Sequence, residues 1–103
     1  MKKLFILITA VFIFSGCATT LSQSAARIRS ANTKMVSSCQ FVGELYSFSG
    51  WGIWGGSNEL IKVRNDAIET AASMGATHIV WTGIGYGGNG TYSYASGKAY
   101  HCR

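Results

Sequence analysis

The sequence predicts an α+β fold: a small split β-α-β sheet of three or four strands with one helix, about residues 58–74, packed on one face. Three observations predict it. Apolar residues recur at clear helical spacing through one segment; strand-like alternation or a β-branched run lies on either side of it; and Cys39 opens one strand while Cys102 closes another.

Taken in order, Arg27–Ser30 reads as a short edge strand. Residues 39–48, CQFVGELYSF, place Phe41, Gly43, Leu45 and Ser47 on one face and Val42, Glu44, Tyr46 and Phe48 on the other, and Gly43 is a candidate bulge. Ser57 or Asn58 then offers an N-cap, with Glu59 in the first turn. Leu60, Val63, Ala67, Ala71 and Met74 form the apolar stripe, Lys62, Asp66 and Glu69 face solvent, and Gly75 stands where a left-handed C-cap is expected. ATHIVWT, 76–82, is a buried strand. GIGYGGNG is too rich in glycine for a packed strand and reads as a loop, and TYSYASGKAYHCR resumes the alternation as the terminal strand.

The cysteines and the loop constrain the sheet. In antiparallel neighbours the start of one strand lies opposite the end of the other, so a 39–102 bridge pairs the first long strand with the last. The Gly-rich connection makes the last two strands antiparallel as well. The terminal strand therefore belongs between the other two, which run parallel to each other and are joined through the helix.

The first sixteen residues stand apart from this domain. Lys2 and Lys3 precede the apolar run Leu4–Phe14, and small residues Ser15 and Gly16 lead to Cys17. That is the layout of an export signal, and the run is shorter than the roughly 20 residues that span a bilayer. FSGC resembles a bacterial lipoprotein box, in which Cys17 would carry acyl chains such as palmitate and anchor the chain lastingly. Ordinary cleavage with a free Cys17, or an uncleaved anchor, are the other outcomes open to it. Ala18 rather than Asp after the cysteine implies, by the same resemblance, the outer membrane, with the domain facing the periplasm or the cell surface. The expected organisation is a signal peptide over 1–16, a lipidated flexible tether over 17–24, and a disulfide-bridged domain over 25–103.

Export bears on the remaining thiols. In an oxidising compartment, with Cys17 assigned to lipid, Cys39 and Cys102 are expected to bridge, the alternative being two unpaired thiols. Closing a loop of about 64 residues removes roughly 4 kcal/mol of unfolded-state entropy. Without Lys2 and Lys3, seven basic residues face four acids, a net charge of +3 instead of the full chain's +5. The cations are scattered singly, so the chain lacks the basic cluster of a nucleic-acid binder. A membrane, through the lipid anchor, and envelope proteins are the expected partners.

Two stretches spell Gly-x-Gly-x-x-Gly, at 50–55 and 83–88. A dinucleotide turn needs a second mononucleotide half and an acid at the end of a second strand, and neither is present here. The second copy precedes no helix. His78 and His101, with two cysteines, lack zinc-site spacing, and no Gly-x-Ser-x-Gly elbow occurs. No catalytic residue, metal or cofactor is expected. Trp51, Trp54, Tyr86 and Tyr92 lie in or beside the glycine stretches and are candidate partner-binding residues. The two tryptophans have a second reading, as plugs for a small core that needs large side chains.

CQFVGELY, AASMGATHIV and GKAYHC, together with Cys17, resemble a family of small bacterial lipoproteins that carry a domain of unknown function. The layout is similar to that of the outer-membrane sensor lipoprotein of the Rcs phosphorelay. The resemblance implies lipidation at Cys17, a Cys39–Cys102 bridge, and a compact α+β domain that contacts envelope proteins. That sensor has a second bridge and a Pro-rich basic linker, whereas this chain has three cysteines in all and no proline. The fold and the anchoring are thus implied, and the signalling role is not. The expected function is a non-catalytic binding or envelope-sensing domain; an accessory protein that contacts peptidoglycan or an outer-membrane barrel is the alternative.

Overall fold

The computed structural model describes residues 21–103. The expected signal peptide and the lipidation site Cys17 lie outside the described residues. The elements are α1 (Gln23–Ala26), β1 (Arg29–Ser30), β2 (Gln40–Ser49), α2 (Gly56–Ser73), β3 (His78–Gly87) and β4 (Tyr92–His101), with 3-10 turns at Gly52–Gly55 and Gly88–Gly90. The fold is α+β, with the main helix packed on one four-stranded sheet of order β1-β3-β4-β2. β4 lies between β3 and β2 and runs antiparallel to both, while β1 adds two residues parallel to β3. The edge strand is half the expected length, because only Arg29 and Ser30 find partners, His78 and Ile79.

The helix forms where the apolar period places it. Val63, Ala67, Ile68 and Ala71 are buried on one face, and Lys62 and Asp66 are exposed on the other. Its end is closed by Gly75, at φ +80°, with Ala76 N–H donating to Ala71 O at 3.0 Å and Gly75 N–H to Ala72 O at 3.0 Å. Its start differs from expectation. The helix begins at Gly56 with Gly55 as N-cap and no side-chain cap, so neither Ser57 nor Asn58 plays that part. The backbone enters straight from the preceding 3-10 turn, and Glu59 instead accepts a hydrogen bond from Ser49 Oγ at 2.6 Å.

β4 explains how the layers meet. Its helix side carries Ser93, Ala95, Gly97 and Ala99, all buried, and its other side carries Tyr92, Tyr94, Ser96, Lys98 and Tyr100. Small residues on β4 facing Ala67 and Ala71 let helix and sheet approach closely. The core is accordingly built from Ala25, Leu45, Val63, Ile68, Ile79 and these alanines. It does not use the tryptophans of the first glycine stretch as plugs.

Three further expectations are corrected. GIGYG is strand, not loop: β3 continues to Gly87 and pairs with β4 along its whole length, with a register shift between Trp81 and Gly83. Gly83 and Gly87 are tolerated because tyrosines of β4 lie across them, Tyr94 Cε2 standing 3.1 Å from where a Cβ on Gly83 would be and Tyr92 covering Gly87 in the same way. In β2 the register shifts between Phe41 and Gly43. That bulge turns Val42 toward the core and puts Phe41 opposite Tyr100, on the same face as Glu44, Tyr46 and Phe48. Finally, the ordered domain starts before residue 25. Leu21 packs against the core, Ser22 caps α1, and Ser22 donates to Glu69 through its N–H at 2.7 Å and its hydroxyl at 3.0 Å.

Cys39 and Cys102 form a disulfide, with Cα atoms 4.7 Å apart and a separation of 63 positions in sequence. It closes the β2–β4 ladder just beyond the Gln40–His101 pair. Thr77 Oγ1 accepts from Cys102 N–H at 2.8 Å and ties the same corner to the start of β3.

Candidate functional site

Two exposed aromatic surfaces stand out, and both follow from how the glycines are used. After β2 the chain turns through Gly52–Gly55. Gly52 is buried at φ +53°, and a Cβ there would overlap the Gly90 carbonyl and lie 2.7 Å from the Thr91 carbonyl carbon. Only glycine lets the backbone wedge against the β3–β4 connection in this way. Ser93 Oγ, fully buried, donates to Gly52 O at 3.4 Å across the same contact.

With the backbone turned inward, the side chains of this turn face out. Trp51 is 65% exposed, Ile53 55% and Trp54 87%, and together they make an apolar ridge on a held backbone. Ile53 also covers Gly90, whose missing Cβ would stand 3.1 Å from Ile53 Cγ2. Tyr86 lies at the same end, on the helix side of the sheet, and its hydroxyl reaches Gly56 O at 3.4 Å. Three of the four candidate aromatics are thus brought to one end of the molecule. Tyr92 stands at that end too, but on the opposite face of the sheet, over Gly87.

That opposite face is the second surface, and sequence reasoning did not single it out. Phe41, Tyr46 and Phe48 from β2 and Tyr92, Tyr94 and Tyr100 from β4 share the side of the sheet that no helix covers. Phe41 and Tyr100 meet edge to face at 5.6 Å, while Tyr46–Phe48 and Tyr92–Tyr94 are tilted neighbours at 6.2 Å. The signal was present in β4. Small and large side chains alternate there from Tyr92 to Tyr100, Ser96 excepted, and the small set must lie under the helix for the layers to close. On β2 the bulge disguised it.

The histidines do not converge with the sulfurs as ligands. His78 Nδ1 is 2.8 Å from Thr77 Oγ1, and His101 Nδ1 donates to Gly75 O at 2.9 Å. Both line a cleft of about 740 Å³ beside the disulfide, whose sulfurs are already bonded to each other. Among the described residues no three His, Cys, Asp or Glu side chains are grouped to hold a metal ion.

Nor does the first Gly-x-Gly-x-x-Gly act as a phosphate turn. At the N-terminus of α2, where an anion would bind, the stem of Glu59 lies against Gly55 and its carboxylate takes the Ser49 hydroxyl. The second copy is the strand β3 and the turn after it. On the far side of α2, Arg64 stacks over Trp81 at 5.5 Å, and Trp81 Nε1–H donates to Ser30 Oγ at 3.0 Å, which pins β1 to the sheet.

No family model, no curated protein and no solved structure matches this chain.

Proposed function

We propose that this chain is a non-catalytic, lipid-anchored protein of the outer membrane whose domain binds another envelope protein through the Trp51–Ile53–Trp54 ridge. The observation that carries this reading is the pairing of a wedged backbone with outward tryptophans. A turn held by Gly52 spends no stability on burying Trp54, and a ridge already ordered before contact loses little conformational freedom on binding. Tryptophan is also the side chain most enriched at the energetic centre of protein interfaces.

The anchor geometry agrees with this direction of contact. Four chain steps separate Cys17 from Leu21, a reach of at most about 14 Å. α1 is fastened to α2 at Glu69, thirteen residues past Gly56, or about 20 Å along the helix from the ridge. A lipid on Cys17 therefore holds the domain by its other end, and the ridge is presented away from its own anchor.

Two measurements test the reading. Cys17→Ala is expected to release the protein from outer-membrane fractions; a variant that still floats with them removes the anchor from the proposal. Trp51→Ser and Trp54→Ser should each leave the unfolding free energy within about 0.5 kcal/mol, as exposed substitutions do. In intact envelopes, both should abolish the crosslinked adduct that the parent chain forms. Adducts unchanged in the double variant would exclude the ridge as the contact.

A further inference from the structure

The helix-free face has a composition and a relief that the ridge lacks. At its middle, between the Phe41–Tyr100 pair and the Tyr46–Phe48 and Tyr92–Tyr94 pairs, a shallow trough of about 210 Å³ is lined by Glu44, Tyr46, Thr82, Ser96 and Lys98. Its floor is the backbone at Leu45 and Gly97. Glu44 and Lys98 are direct cross-strand partners, so the trough carries one charge of each sign and is neutral as a whole. Thr82 and Ser96 hydroxyls lie 2.9 Å apart at its side.

From Tyr94 to Tyr100 is six strand residues, about 20 Å. A ligand lying along this face meets, in order, ring faces and phenol hydroxyls, then a band of hydroxyl, carboxylate and ammonium groups, then rings again. A hydrocarbon partner would bury Glu44 and Lys98 without compensation, and an anionic polymer would meet Glu44 as well as Lys98. A sugar chain satisfies both features. Its C–H faces pack on aromatic rings, and its hydroxyl or N-acetyl groups supply donors and acceptors to the polar band.

We propose that this face binds a neutral glycan, an extended chain of pyranose rings lying across β4 with at least one ring in the trough. Glu44, Ser96 and Lys98 make its hydrogen bonds, and Tyr46 and Tyr94 pack on its ring faces. The site is separate from the Trp51–Trp54 ridge and needs neither the anchor nor a protein partner.

The test is calorimetric titration of the full-length chain, in a detergent with no sugar head group, with chitotetraose and, in parallel, cellotetraose. Saturable binding of at least one is expected. Tyr46→Ala and Lys98→Gln, both at exposed positions, should each weaken it about tenfold, equivalent to about 1.4 kcal/mol. Trp54→Ser should leave it unchanged. Tyr94→Phe, which keeps the ring over Gly83, should retain most of the affinity and so separates loss of contact from loss of fold. No saturable heat with either sugar from protein that still unfolds cooperatively overturns the proposal. So does binding that survives both Tyr46→Ala and Lys98→Gln, or a face that takes up phospholipid vesicles while ignoring both sugars. Glycan binding with no crosslinked protein adduct would leave this inference standing and remove the ridge reading instead.

Discussion

Reduction of the Cys39–Cys102 bridge is expected to lower the unfolding midpoint by roughly 15–30 °C. With the cysteines 63 positions apart, the released unfolded-state entropy corresponds to about 4 kcal/mol. Each kcal/mol moves the midpoint of a domain this small by about 4–8 °C. The loss is a large share of the 5–15 kcal/mol that holds most domains folded. The bridge fastens the corner where β2, β3 and β4 meet through Thr77, so that corner should lose amide protection first. The control is Cys39→Ser with Cys102→Ser, whose midpoint should already be low and should not respond to reductant. A midpoint that reductant leaves unmoved in the parent chain would show that the bridge stabilises nothing.

The second large effect is expected at Gly52. Gly52→Ala places a Cβ at φ +53° against the Gly90 carbonyl, which belongs to backbone and cannot swing aside. Backbone strain and the displaced turn together should cost on the order of 3 kcal/mol. Two positions earlier, Gly50 has nothing within 4 Å of an added Cβ, so Gly50→Ala should stay within about 0.5 kcal/mol. Thermal unfolding of the two variants side by side decides the matter. Equal midpoints would mean that the turn is not wedged, and that the tryptophan ridge has no rigid support.

The same comparison shows why some of this structure was legible in the sequence and some was not. The helix was readable because Val63, Ala67 and Ala71 keep one period over about two turns and Gly75 ends it, signals that are local and additive. The sheet order was readable because Cys39 and Cys102 connect two strand ends, and a covalent link between distant residues excludes most topologies. GIGYG was misread because glycine's weakness in a strand is a single-strand rule. Tyr92 and Tyr94 on the neighbouring strand supply the missing side-chain mass, and no window along β3 contains them. Phe41 fell on the wrong face because one bulge residue, Val42, inverts the parity of everything before it. The tryptophans could not be assigned at all from composition. Whether a small core needs aromatic plugs depends on the spacing between helix and sheet, and here Ala67, Ala71, Ala95 and Ala99 close that spacing instead. The helix-free aromatic face became visible only when β2 and β4 were set side by side.

The placement of β4 also governs when this protein can fold. Both strands that β4 pairs with, β2 and β3, precede it in the chain, and neither pairs with the other. A chain emerging from its N-terminal end presents β2, then α2, then β3, and the long sheet ladders still have no partner. Cys39 waits as a free thiol over the same interval. The turn at Gly88–Gly90 joins β3 to β4 at one end of the sheet, and Cys102 meets Cys39 at the other. A chain built this way gains its two long ladders and its bridge together, only once the segment that carries Cys102 has joined the rest.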